Sequence, residues 1–197
     1  MTPQLDPRRS ALLLMDFQTE IVALLADAGA LLERVARVRD RCRRSGMAVV
    51  YVRVALGEAA RRAVPERNKS FAGLAGSNRL AEGTPRADIA PELRPAPGEL
   101  VVTKSRVGAF STTELAEQLS QRGIDTLLLA GIATSGVVLS TVREAADRDY
   151  RLLVLADCCA DGDPLVHEVL MERVFPRQAD VIDAAGLDLL LPERRPG

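Results

Sequence analysis

Short apolar runs alternate with amphipathic segments along most of the chain, and this alternation restricts the folds that it can adopt. The runs that predict buried strands are residues 11–17, 47–55, 99–104, 125–131 and 150–157, with a short sixth at 179–183. Apolar residues at helical spacing separate the first two runs: Leu31, Val35, Val38 and Cys42. Gly46 follows them and is a typical helix end. Strands joined by helices form parallel sheets, so we expect an α/β fold with a central, mainly parallel six-stranded sheet covered on both faces.

Length and charge narrow the classes of function. The chain has 197 residues, of which 47% are hydrophobic, as expected for one globular domain over residues 1–197. Its 26 basic and 27 acidic residues give a net charge of −1, which does not favour nucleic acid or an anionic membrane as a partner. The apolar run at 11–15 is too short for a signal peptide or a membrane span.

Cysteine and histidine usage limits the chemistry further. Cys42, Cys158 and Cys159 form no CxxC motif or disulfide pattern, which favours a reducing, cytoplasmic location. His167 is the single histidine, so a histidine-rich metal site is excluded and a Ser/His/Asp triad is not favoured. Because it lies off the apolar stripe of its predicted helix, we expect His167 to be exposed. We expect no metal and no cofactor.

The segment from 56 to 98 differs from the rest of the chain. It contains five prolines, several glycines and little periodicity. A connection of this length is usually a functional loop or a disordered one. Since predicted strands flank it, the 56–98 segment is expected to form a lid over a site or a surface for a partner.

Two charged residues stand at the ends of predicted strands. Asp16 closes the first strand and Lys104 closes the third. In parallel sheets ligands bind beyond the carboxyl ends of the strands, so both are candidates for a site. A carboxylate that ends a buried run suits a proton donor or acceptor, although it can also simply cap the strand. Lys69 and Lys104 are the only lysines among 26 basic residues. The use of lysine and not arginine at position 104 therefore has either a chemical reason or no reason beyond sequence drift.

The turn after the fourth predicted strand is a further candidate. Residues 132–137, "IATSGV", place backbone N–H groups at a helix start, where they can hold an anion or an oxyanion. Thr134 or Ser135 can cap this helix, and the absence of a GxSxG motif disfavours Ser135 as a nucleophile. Cys158 and Cys159 are expected just beyond the fifth strand, where burial is favoured over catalysis.

The stretches "LLLMDFQ", "VVTKSRVGAF" and "VLADCCAD" together resemble the isochorismatase-like superfamily, also called the cysteine hydrolase family, over nearly the whole chain. The resemblance implies a three-layer α/β/α Rossmann-like sandwich, a homo-oligomer and a small-molecule substrate. It implies that Asp16 and Lys104 are catalytic. The turn that it assigns to anion or oxyanion binding consists of Ala133, Thr134, Ser135, Gly136 and Val137. Candidates for the substrate pocket are Phe17, Gln18 and Phe110, with core packing an equal explanation of the two rings.

One position departs from the family pattern. In amidase members a nucleophilic cysteine stands three residues after the threonine of the GxxT turn, and here that position is Val137. Without the sulfur the thiolate route is closed. The family also contains isochorismatases that lack the cysteine and cleave a vinyl ether; there the aspartate is thought to protonate the enol-ether carbon, and water captures the resulting oxocarbenium ion. The cis peptide common in the family turn would fall at Ile132–Ala133.

The sequence therefore predicts a hydrolase of this superfamily in which Asp16 and Lys104 supply acid/base chemistry without a cysteine nucleophile, and vinyl-ether hydrolysis is one reaction that fits. The alternative is a family member that has lost catalysis and binds a small metabolite or a protein partner, because Val137 cannot attack a substrate. A third hypothesis is an amidase whose thiol is relocated to Cys158 or Cys159. The Asp-x-His metal cluster of nicotinamidases has no counterpart after the second strand.

Overall fold

The computed structural model describes residues 4–192 and contains a six-stranded sheet in which every neighbouring pair of strands is parallel. The strands are β1 (Ser10–Met15), β2 (Ala48–Val54), β3 (Leu100–Lys104), β4 (Thr126–Ile132), β5 (Arg151–Ala160) and β6 (Asp180–Ile182). Their order across the sheet is β3-β2-β1-β4-β5-β6. Each strand overlaps one of the predicted apolar runs, so the expected α/β class and parallel sheet are confirmed.

Helices cover both faces of this sheet. The α-helices are α1 (Thr19–Val22), α2 (Ala28–Ser45), α3 (Glu58–Arg62), α4 (Ala72–Ala75), α5 (Leu115–Gln121), α6 (Leu139–Ala146), α7 (Pro164–Val169) and α8 (Ala184–Leu190). Short 3-10 helices span Pro7–Arg9, Pro91–Leu93 and Phe175–Arg177, and π-helical turns span Thr134–Val138 and Leu170–Val174. Helices α2 and α8 pack on one face, whereas α5 and α6 pack on the other. Within residues 4–192, no helix has both the length and the apolar character to cross a membrane.

The two central strands, β1 and β4, are buried along their whole length. Leu12 and Leu14 of β1 face the core under α2, and Leu13 and Met15 face the core under α5 and α6. This alternation follows from the two-residue period of a strand. A strand that is apolar on both faces belongs in the middle of a parallel sheet. The residue that directly follows such a strand is therefore shielded from water.

Helix α2 follows the stripe read from the sequence. Its buried apolar residues are Leu31, Leu32, Val35, Val38 and Cys42. The helix ends at Gly46, whose φ of 82° is the left-handed conformation that glycine adopts without a steric penalty. The predicted position and end of this helix are therefore confirmed.

Strand β5 is longer than its apolar run suggests. Its pairing with β4 shifts register between Leu129 and Gly131, and beyond the shift Gly131 pairs with Cys159. The strand therefore continues to Ala160. Cys158 and Cys159 lie inside the strand, so the expectation that they lie just beyond its end is wrong. The irregularity that extends the strand is a pairing feature with no signature in local apolar periodicity.

Gly131 marks a close approach between β4, β1 and the following helical turn. A Cβ atom at this position would lie 3.0 Å from Met15 O and 3.1 Å from Val138 Cγ2. We expect Gly131→Ala to lower the free energy of unfolding by about 1–3 kcal/mol, because a backbone and a packed side chain must move. The control is Gly136→Ala, whose new methyl group would meet only Ala133 Cβ at 3.8 Å. Urea denaturation compares the two variants, and equal losses would contradict the tight contact at Gly131.

Candidate active site

Asp16 and Lys104 meet at the carboxyl end of the sheet, although 88 positions separate them in the chain. Asp16 directly follows β1, Lys104 ends β3, and β2 lies between these two strands. The backbone N–H of Asp16 donates to Val52 O at 2.8 Å, which fixes the end of β1 against β2. The Lys104 Nζ donates to Asp16 Oδ2 at 2.8 Å. The sheet therefore joins the two residues that the sequence marked as catalytic candidates.

This ion pair is almost completely removed from water. The side chains of Lys104 and Asp16 are 2% and 8% exposed. The Lys104 Nζ also donates to Arg106 O at 3.2 Å. Burial raises the pKa of the Asp16 carboxyl, and the neighbouring ammonium opposes that shift without cancelling it. A carboxyl with a raised pKa keeps its proton to higher pH than an exposed aspartic acid, as a general acid requires.

The second oxygen of Asp16 is unpartnered. Among residues 4–192, Asp16 Oδ1 is the buried side-chain oxygen or nitrogen for which no hydrogen-bond partner is present. Buried polar atoms are nearly always hydrogen-bonded, because desolvation without a partner costs about 1–3 kcal/mol. An oxygen left in this state next to a lysine is typical of a group reserved for a ligand or a proton.

Gln18, a candidate for the substrate pocket, stands two residues after Asp16 and is fully buried. Its amide Nε2 donates to Val54 O at 2.8 Å and to Ala87 O at 2.5 Å, and its Oε1 accepts from the Val54 N–H at 2.8 Å. The side chain therefore joins three backbone groups from two segments. In this structure its polar atoms hold the architecture around Asp16.

The two aromatic candidates for the pocket lie in different places. Phe17 belongs to the core under α2, whereas Phe110 belongs to the core under α5 and α6. The ring of Phe110 stacks on Tyr150 with a centroid separation of 6.0 Å, and the Arg148 guanidinium lies 5.1 Å from the Phe110 centroid. These positions favour core packing over a shared pocket wall for the two rings.

The turn after β4 has the predicted cis peptide bond between Ile132 and Ala133. The N–H of Ser135 donates to Asp161 Oδ2 at 2.7 Å, and the N–H of Gly136 donates to Ala133 O at 3.1 Å. An anion at this turn would therefore have to displace the Asp161 carboxylate from Ser135 or bind other amides. Anion binding by Ala133, Thr134, Ser135, Gly136 and Val137 stays a prediction.

Position 137 of this turn carries a hydrocarbon side chain, and the cysteine thiols of the chain are buried in the core. Val137 is 2% exposed and packs with α6 in the core. The cysteines are all buried. Burial raises the pKa of Cys42 and of Cys159 to about 12, and it raises the pKa of Cys158 as well. Thiols with such pKa values are protonated near neutrality and are poor nucleophiles.

The 56–98 segment folds across this end of the sheet, and it has its own small core. Phe71 and Leu80 of the segment pack with Leu56 and with Val54 of β2. The guanidinium of Arg61 donates to backbone carbonyls along the segment, namely those of Leu56 (3.1 Å), Leu74 (2.9 Å) and Arg79 (2.9 Å). The segment is therefore a folded unit.

The same segment is tied to the residues that directly follow β1. The N–H of Ala90 donates to Phe17 O at 2.9 Å. Glu20, whose side chain is 4% exposed, accepts from Arg79 Nε at 2.6 Å and from the Leu80 N–H at 3.2 Å. These contacts hold the 56–98 segment over the residues next to Asp16. They thereby help to exclude water from Asp16.

A pocket of about 430 Å³ opens beside Lys104. Thr103 and Lys104 line it from β3, and Glu58 and Glu82 line it from the 56–98 segment. The volume falls in the range of small-molecule sites. A small molecule can therefore approach the end of β3 under the 56–98 segment, while the Lys104 side chain itself is 2% exposed and Asp16 does not line this pocket.

Sequence reasoning missed the contacts that hold the turn. His167 is half-buried, and its Nδ1 lies 2.8 Å from Thr134 Oγ1, so the expectation of an exposed histidine is wrong. A helical stripe shows which face meets the sheet, but it does not show which loop approaches the flank of the helix. The position of Asp161 just after the β5 run was an available signal, because β5 lies next to β4.

A parallel α/β/α sandwich with an aspartate–lysine pair at the carboxyl edge of its sheet defines the class of protein: a Rossmann-like enzyme domain. The chain belongs to the isochorismatase family, since the Isochorismatase domain matches residues 10–186.

Similar proteins agree with this membership. The uncharacterized isochorismatase family protein YwoC of Bacillus subtilis is 32% identical over 176 residues, which cover 89% of this chain and 90% of the relative. Ureidoacrylate amidohydrolase RutB of Methylorubrum extorquens is 33% identical over 175 residues, which cover 83% and 71%. An isochorismatase family protein of Burkholderia thailandensis has a structure with a TM-score of 0.82 and 29% identity, covering 96% and 98%. The predicted superfamily and hydrolase class are confirmed.

The buried pair predicts a pH-dependent double-mutant cycle. Lys104→Met leaves the Asp16 carboxyl buried without its cation, and we expect it to lower the free energy of unfolding by about 3–5 kcal/mol at neutral pH. Adding Asp16→Asn removes the uncompensated acid and should restore most of that loss. Urea denaturation measures Lys104→Met, Asp16→Asn and the double variant. Arg9→Met, which breaks an exposed pair with Asp125, is the control and should change stability little.

The sign of the pH effect follows from the raised pKa of Asp16 in the folded chain. Below the ordinary pKa of aspartic acid, about 4, the carboxyl is neutral in both states and the missing cation matters least. As the pH rises toward the folded-state pKa, the unfolded chain releases this proton first, so stability falls. A loss in Lys104→Met that is the same at low and high pH would contradict this account.

Proposed function

We propose that this chain hydrolyses a small metabolite, with Asp16 as general acid or base and Lys104 as its electrostatic partner, and without a cysteine nucleophile. The observation that carries the proposal is the unpartnered Oδ1 of a buried carboxyl whose other oxygen is bonded to a lysine. The raised pKa of Asp16 supports this role, because its carboxyl binds a proton more readily than an exposed aspartic acid does.

Vinyl-ether hydrolysis is the reaction that this arrangement suits. Asp16 transfers its proton to the terminal carbon of the enol ether, and the substrate becomes an oxocarbenium ion. Water adds to that ion and loses a proton, which returns to Asp16. The hemiketal then divides into a carbonyl compound and an alcohol. Lys104 stabilises the carboxylate that exists between the two proton transfers.

The surroundings of the turn support a route without sulfur. Val137 presents hydrocarbon to a packed core, and the thiols of Cys158 and Cys159 are buried with raised pKa values. A relocated thiol nucleophile needs a thiolate within reach of the substrate. Since a relative is named as an amidohydrolase, amide hydrolysis is the competing reaction that experiments must include.

We further propose that residues 1–197 act as a single domain in which the 56–98 segment is a lid. Its contacts with Glu20 and Phe17 support this role, because they tie it to the chain next to Asp16. Its Glu58 and Glu82 face the pocket beside Lys104. A cytoplasmic homo-oligomer without a cofactor stays our expectation.

The proposal predicts that Asp16→Asn removes the activity of the folded chain, although stability also falls because the buried Lys104 loses its partner. An amide cannot donate a proton as a carboxyl does, so we expect kcat to fall by about a hundredfold or more. Isochorismate, amides and esters form the substrate panel, and circular dichroism checks the fold. For a general acid, the activity of the unmodified chain should decline as the pH rises through the raised pKa of Asp16.

Asp125→Asn is the matched control, since this carboxylate pairs with Arg9 at the opposite end of β4. It should leave kcat unchanged. Full activity of Asp16→Asn would end the proposal. Absence of turnover on the whole panel by the unmodified chain would favour the alternative of a family member that only binds a metabolite or a protein partner.

Replacing the thiols tests the absence of a cysteine nucleophile. Because Cys158 and Cys159 are buried with raised pKa values, we expect Cys158→Ala and Cys159→Ala to keep kcat within a few-fold of the unmodified chain. Steady-state kinetics on the same substrate measure this. A loss comparable to that of Asp16→Asn in a folded cysteine variant would show that a thiol takes part.

A further inference from the structure

Two side chains from the segment that follows β5 hold the turn at 133–137. The carboxylate of Asp161 accepts from the Ser135 N–H at 2.7 Å through Oδ2. The ring of His167 lies with Nδ1 2.8 Å from Thr134 Oγ1. Asp161 and His167, which we call the clamp, thus bind two adjacent residues of the turn, one through its backbone and the other through its side chain.

The clamp has a defined internal geometry. Asp161 Oδ1 accepts from the Asp163 N–H at 3.2 Å, so the carboxylate is held on both oxygens. Asp163 caps α7 by accepting from the Leu165 N–H at 2.9 Å through Oδ1. The N–H of His167 donates to Asp163 O at 3.1 Å. One capped turn therefore fixes both the carboxylate and the ring.

The charges of the clamp suit this geometry. Burial acts to raise the pKa of Asp161, but hydrogen bonds from Ser135 and Asp163 lower it below its ordinary value. Asp161 is therefore a carboxylate near neutrality and a strong acceptor for the Ser135 N–H. Burial lowers the pKa of His167, with the charge of Asp161 acting in the opposite direction. The ring is uncharged near neutrality and forms a neutral hydrogen bond with Thr134.

We propose that Asp161 and His167 are positioning residues that hold the turn at 133–137 in the geometry in which its amides other than the Ser135 N–H bind an anion or oxyanion. The catalytic role of the turn depends on the proposed function, whereas the clamp is defined by the hydrogen bonds described above. Thr134 is completely buried, so a hydroxyl without its histidine would be an unsatisfied polar group. A turn displaced by about 1 Å can lower turnover about a hundredfold.

The first experiment needs no substrate. His167→Leu removes the bond to Thr134, whereas His167→Asn places an amide atom near the position of Nδ1. We expect amide hydrogen exchange at residues 133–138 to become about tenfold faster in His167→Leu and to stay near normal in His167→Asn. Glu168→Ala, an exposed neighbour on α7, is the control. Unchanged exchange at this turn in His167→Leu would overturn the clamp.

The second experiment measures kinetics on a substrate that the unmodified chain turns over. We expect His167→Leu to lower kcat by about tenfold to a hundredfold with little change in KM, and His167→Asn to recover most of it. Thr134→Val breaks the same contact from the other side. The double variant Thr134→Val/His167→Leu should lose little more than either single change. Additive losses would mean that the two residues act separately and would overturn the proposal.

The two proposals fail in different ways. Full kcat in a folded His167→Leu variant, together with an inactive Asp16→Asn variant, would remove the positioning role and leave the proposed function intact. Full activity of Asp16→Asn would remove the proposed function, and the exchange measurement would still decide whether the clamp holds the turn. Urea denaturation separates both results from a general loss of stability.

Discussion

The ion pair between Asp16 and Lys104 is the interaction on which the arrangement of the candidate site depends. Either charge buried alone would be costly, so the two side chains have to be removed from water together. Their bond crosses the end of β2 and fixes the ends of β1 and β3 relative to each other. The same burial raises the pKa of Asp16, which links the architecture to the proton affinity of the proposed acid.

The buried polar side chains that follow Asp16 have hydrogen-bond partners for their polar atoms. Gln18 joins the chain after β1 to the end of β2 and to Ala87, and Glu20 binds the covering segment through Arg79 and the Leu80 N–H. Each of these groups is satisfied, so its burial costs little. Against that background the unpartnered Oδ1 of Asp16 is the exception on which the proposed function is based.

The turn beyond β4 follows the strand that neighbours β1 on the side opposite β2. The domain belongs to a family whose relatives include a named amidohydrolase. In this chain, however, Val137 occupies a packed hydrocarbon position and the buried thiols of Cys158 and Cys159 have raised pKa values. For this reason the proposed reaction type is acid/base chemistry by the Asp16–Lys104 pair.

The sequence by itself determined the parallel sheet, its covering helices and the two strand-end candidates, because apolar periodicity records which faces are buried and parallel strands share one carboxyl edge. Only the tertiary structure decided that Asp16 and Lys104 touch, that the amide of Gln18 is used by the backbone, and that His167 turns toward Thr134. Those contacts join residues that are distant in the chain. They depend on strand order, on a register shift in β5 and on side-chain direction, none of which a local pattern of apolar and polar residues specifies.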